Sequence, residues 1–82
     1  MNTTAIIVDD EPHLVDDLAS KLMELLPEFE RVGTAFSGRN ALSLAQEVQP
    51  DIAFLDIHMP GLSGLQVAEA LPANTKIVFV TA

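Results

Sequence analysis

The sequence predicts an open, parallel α/β sheet of four strands with helices on both faces. Three observations carry this expectation. Short apolar, β-branched runs alternate with stretches of helical periodicity. Each connection between successive runs is long enough to hold a helix. Two of the runs break off abruptly into acids. Right-handed crossovers make such strands parallel. The three strongly apolar runs then belong side by side, with the polar one outside them, which gives strand order 2-1-3-4.

Each element follows from its residues. Thr4–Val8 is a buried strand that ends in Asp9-Asp10-Glu11. Pro12 suits a first helical turn, where its missing N–H costs nothing. From His13 the residues Leu14, Leu18, Leu22 and Leu25 or Leu26 recur at helical spacing. Asp16, Asp17, Lys21 and Glu24 take the other face, and Pro27 limits the helix. Arg31–Ala35 is the polar edge strand. Ser37 is placed to cap a second helix, whose apolar side is Ala41, Leu42, Ala45 and Val48, and Pro50 ends it. Ile52 to Leu55 is too continuously apolar for a half-exposed strand and suits one buried on both faces. It stops at Asp56, and Pro60-Gly61 turns the chain two residues after His58. Ser63 caps a third helix, Gly64 to Leu71, stopped by Pro72. Lys76–Val80 is the last strand, followed by Thr81-Ala82. With no repeat, linker or low-complexity stretch, residues 1–82 read as a single domain.

Composition narrows the function classes. A net charge of -8 with four Lys and Arg argues against a nucleic-acid or anionic-membrane surface. The absence of Cys excludes thiolate chemistry and a disulfide framework, and is consistent with a reducing cytoplasm. The start, Met1-Asn2-Thr3-Thr4, has no basic flank and its apolar run is short, so neither a signal peptide nor a membrane span is expected.

In the predicted order, a flavodoxin-like arrangement, the switch point falls between the first and third strands. Asp9, Asp10 and Asp56 therefore converge on one crevice. Close carboxylates repel, so they share protons or bind a cation. An all-oxygen donor set suits Mg²⁺ or Mn²⁺ and disfavours Zn²⁺. An exposed Asp beside such an ion can act as a nucleophile and form an aspartyl phosphate. The plainer alternative has Asp9 and Asp10 capping the helix after Pro12 and Asp56 starting a turn.

Three motifs, Val8-Asp9-Asp10-Glu11-Pro12, Asp56-Ile57-His58-Met59-Pro60-Gly61-Leu62-Ser63-Gly64 and Val80-Thr81-Ala82, together resemble the receiver domain of two-component response regulators. The match in order, spacing and strand context runs the length of the chain. Within that family, the start and the Ile-Val-Phe-Val-Thr-Ala ending look most like receivers attached to LytTR-type DNA-binding domains. The resemblance implies that Asp56 accepts a phosphoryl group from a histidine kinase. It implies that Asp10 ligates Mg²⁺ directly, Asp9 through water, and His58 through its backbone carbonyl. Thr81 would be the switch hydroxyl, and Ala82 would leave room for the phosphoryl group. Such a domain is a phosphoacceptor, not an enzyme in the ordinary sense, and controls an output domain that binds DNA in its place. Met59 reads as packing and Pro60 as a turn, and the His58 imidazole either faces solvent or tunes access of water.

The sequence also departs from the family pattern. Family members continue with a helix, a fifth strand ending in a Lys, and a last helix, whereas this sequence stops at Ala82. It reads as a partial receiver without that Lys or the switch aromatic, and neither Lys21 nor Lys76 is placed to substitute. A homo-oligomer through the unpaired Lys76–Val80 strand is expected from such an edge. Two alternatives stand beside the receiver reading. One is an aspartate-nucleophile phosphatase of the haloacid-dehalogenase type, which wants an Asp where His58 stands. The other is a self-associating fragment with an incomplete site.

Overall fold

In the computed structural model, which describes residues 3–80 and all side chains among them but those of Arg31 and Val32, four strands alternate with three helices. These are β1 (Thr3–Val8), α1 (Pro12–Leu25), β2 (Phe29–Ala35), α2 (Gly38–Val48), β3 (Ile52–Asp56), α3 (Gly64–Ala70) and β4 (Lys76–Val80). The strands form one sheet in the order β2-β1-β3-β4, with all three pairings parallel. The topology is the expected one.

The sheet divides the core in two. On one face Ile6, Val8, Ala35, Ala53 and Leu55 pack against Ala41 and Ala45 of α2 and Val67 of α3. On the other, Ala5, Ile7 and Phe54 pack against Val15 and Ala19 of α1. Side chains alternate across a strand, so β1 and β3 feed both clusters. That is why their apolar runs are unbroken. Ile6 and Leu55 have no exposed surface at all.

Two expectations need correction. The buried stripe of α1 runs through Val15, Leu18, Ala19 and Leu22, whereas Leu14 and Leu25 are exposed. Leucines spaced by four resemble a stripe, but each i to i+4 step overshoots a whole turn by 40°, so a lasting face needs i+3 steps as well. The second correction concerns β2, which starts at Phe29 and not at Arg31. Phe29 packs its ring 6.1 Å from that of Phe54, and this contact draws the polar strand in two residues earlier. A register shift between Ala5 and Ile6 absorbs an extra residue in β2.

At the amino edge of the sheet, Asp51 ties three strands together. Its Oδ2 accepts from the Thr4 N–H at 2.9 Å and the Thr4 hydroxyl at 3.1 Å. Its carbonyl accepts from the Lys76 N–H at 2.9 Å. This leaves the opposite, carboxyl edge for the acids.

Candidate functional site

At the carboxyl edge, β1 and β3 lie side by side with Val8 opposite Leu55. The residues that follow, Asp9 and Asp56, therefore emerge together. One carboxylate oxygen from each of Asp9, Asp10 and Asp56 lies within 4.8 Å of the other two. Asp9 and Asp56 are half-buried and Asp10 is exposed. The convergence expected of two separate motifs is present.

The local hydrogen bonds aim these side chains. Asp9 Oδ1 accepts from the Glu11 N–H at 2.9 Å, and the Asp9 N–H donates to the Ala35 carbonyl at 3.1 Å. Asp56 Oδ1 accepts from the His58 N–H at 3.2 Å. Thus the plainer reading also holds in part. Asp9 supports the entry to α1, where Glu11 makes no side-chain cap of its own, and Asp56 closes a turn. Both bonds close short turns, and neither Asp9 nor Asp10 caps the first turn of α1; turn and convergence coexist because each carboxylate has a second oxygen.

Burial pushes the Asp9 carboxyl above the ordinary carboxylate value. The Glu11 N–H opposes that rise, whereas the neighbouring Asp56 and Asp10 charges add to it. A group that resists ionising beside two other acids is held against repulsion. A cation at this point would relieve it. The donor set is hard oxygen throughout, which fits Mg²⁺ or Mn²⁺.

The loop after β3 is anchored at several points. His58 is exposed, as is Pro60, and Met59 is buried against the α2–α3 cluster, so Met59 is packing. Gly61 turns the chain at φ 79°, a conformation that favours glycine. Ser63 accepts from the Gln66 N–H while the Gln66 side chain accepts from the Ser63 N–H. The signal for this reciprocal cap in the sequence is Ser-x-x-Gln, in which Gln66 supplies the half that Ser63 alone does not. Lys76 opens β4 at the far edge, paired with Ile52, and Lys21 lies on α1, so neither reaches the acids. Thr81 and Ala82 lie outside the described residues.

The family model for the response regulator receiver domain matches residues 5–82. An uncharacterized response regulatory protein of Vibrio cholerae is 44% identical over 82 residues, covering 96% of this chain and 31% of its own. The positive alginate biosynthesis regulatory protein of Pseudomonas aeruginosa is 42% identical over 80 residues, covering 94% of this chain and 32% of its own. Among solved structures, the signal receiver domain of a modulated diguanylate cyclase from Desulfovibrio desulfuricans superposes with a TM-score of 0.86 at 31% identity. That match covers 98% of this chain and 65% of the other. The chain thus spans about a third of the length of these two curated relatives.

Proposed function

Because the chain belongs to the response regulator receiver domain family of two-component systems, we propose that it accepts a phosphoryl group from a histidine kinase on Asp56. Membership in this family displaces the haloacid-dehalogenase reading. The observation that carries the proposal is the meeting of Asp9, Asp10 and Asp56 at the end of a buried central strand.

In this reading a carboxylate oxygen of Asp56 attacks phosphorus in line. The phosphorus–nitrogen bond of the phosphohistidine breaks, its electron pair returns to the imidazole, and Asp56 becomes an acyl phosphate. The His58 N–H on Oδ1 fixes the rotamer of the nucleophile, so little ordering remains to be done at the moment of transfer. Asp10, Asp9 and the His58 backbone carbonyl would hold Mg²⁺, with Mn²⁺ as an alternative occupant, and Asp56 would complete the set. When bound, the ion supplies positive charge against the oxygens of the transferring group. Thr81 would donate its hydroxyl to the phosphoryl group, and Ala82 would leave space beside it.

The domain would act in the cytoplasm on an output domain outside this chain. A DNA-binding output, of which the LytTR type is one form, is supported by the likeness to a solved DNA-binding response regulator of the LuxR family from Staphylococcus aureus. The segment itself, with its acidic surface, would not touch the nucleic acid.

A Mg²⁺ titration of thermal stability tests the site. Binding to the folded state alone raises the midpoint by mass action. The wild type and Asp51→Asn, altered at the opposite edge, should respond alike, and Asp10→Asn should not respond. An equal shift in Asp10→Asn would place the ion elsewhere.

A further inference from the structure

We propose that Gly64 is a positioning residue for the Asp56 carboxylate, an inference that rests on the acidic-site reading above. Gly64 opens α3, yet it touches the chain eight residues earlier. Its N–H donates to the Ile57 carbonyl at 3.0 Å. A Cβ built on it would fall inside contact distance of the Asp56 carbonyl oxygen, 2.8 Å from Ile57 Cα and 3.0 Å from the Asp56 carbonyl carbon. All three are backbone atoms, so no rotamer change makes room.

The consequence follows from peptide planarity. The Asp56 carbonyl, packed against Gly64, belongs to the Asp56–Ile57 peptide. The Ile57 carbonyl, bonded to Gly64, belongs to the Ile57–His58 peptide. With both planes fixed, the His58 N–H is aimed at Asp56 Oδ1. Helix propensity alone would favour Ala over Gly at a helical position. A buried Gly here therefore reflects the close approach of α3 to β3. A methyl group at this point has to drive α3 away from the two peptides on either side of Ile57, whose His58 N–H aims the nucleophile.

Gly38 provides a matched control. A Cβ there is also crowded, 2.6 Å from Leu62 Cβ and 2.9 Å from Leu62 O and Val67 Cγ2, so its nearest neighbours belong to Leu62 and Val67 and not to residues 56–58. The test compares Gly64→Ala and Gly38→Ala in the 82-residue chain by backbone amide NMR without metal, and by Mn²⁺ affinity from electron paramagnetic resonance. Gly64→Ala should move the His58 amide resonance and weaken Mn²⁺ by about 10- to 100-fold, the usual loss when a ligand's support is removed. Gly38→Ala should lose stability but leave both readouts near wild type. A folded Gly64→Ala with an unmoved His58 amide and unchanged Mn²⁺ affinity overturns the proposal. If the wild type itself fails to bind Mn²⁺, the acidic-site reading falls, and the metal-free amide shift still decides the role of Gly64. If Gly64→Ala does not fold, hydrogen exchange in the wild type decides: Mg²⁺ should slow exchange of the Gly64 amide more than that of Val67, and equal effects overturn the proposal.

Discussion

Asp9 carries two duties that conflict in the absence of a cation: it accepts the Glu11 N–H and it stands beside Asp56 and Asp10. Its raised folded-state value means that the native chain binds more protons than the unfolded chain just above pH 3.8. Stability from this group is present below that pH and is lost as pH rises through the folded value. Asp9→Asn keeps an oxygen for the Glu11 N–H and removes the charge. In metal-free solution it should therefore be slightly more stable than wild type near neutral pH, by about 0.5 kcal/mol, since half-exposed charges are well screened. That advantage should fade towards pH 3.8, and the variant should respond less to Mg²⁺. Chemical denaturation at several pH values checks the sign, and a variant less stable at pH 7 would contradict it. The three acids were legible because the Asp9-Asp10 pair and Asp56 each come directly after an apolar run. Gly64 was not, because nothing in its neighbours along the chain records that it presses on Asp56.

At the scale of elements, the strands and their order were legible because unbroken apolar runs have few alternatives to a doubly covered sheet. The facing of α1 was less so. Four leucines at regular spacing outweigh Val15 and Ala19 in a sequence, yet the smaller pair sits flush on the sheet, 1% and 4% exposed, while Leu14 remains 43% exposed. Val15→Ala should cost about 1–2 kcal/mol, in the range for removing buried methyl groups, whereas Leu14→Ala should fall within about 0.5 kcal/mol of wild type. Urea midpoints distinguish the two, and a larger loss at Leu14 would return the stripe to the leucines. The tie from Asp51 to Thr4 gives a second check at this scale. Asp51→Ala removes the acceptor for both Thr4 donors and should destabilise by about 1–2 kcal/mol. No effect on the melting midpoint would show that water replaces the contact without loss.

For the molecule as a whole, β4 is the exposed flank. Among the described residues it pairs only with β3, and Val78 and Phe79, on opposite faces, remain 39% and 40% exposed. An apolar edge strand with free backbone groups is a template for another chain. The 82-residue chain in isolation should therefore associate through β4 as concentration rises, against the repulsion of its net charge of -8. Val78→Lys should weaken that association, and light scattering that finds wild type and variant equally monomeric would contradict it.

The central claim is that Asp56 accepts the phosphoryl group with help from a cation held by its acidic neighbours. Intact-mass measurement after incubation with acetyl phosphate tests it most directly. Wild type should gain the mass of one phosphoryl group in the presence of Mg²⁺, slowly, since neither Lys21 nor Lys76 stands at the carboxyl edge to stabilise the transferring charge. Labelling should fall away with chelator and with Asp56→Asn. Labelling that persists in Asp56→Asn, or that proceeds equally well without a divalent ion, would contradict the account.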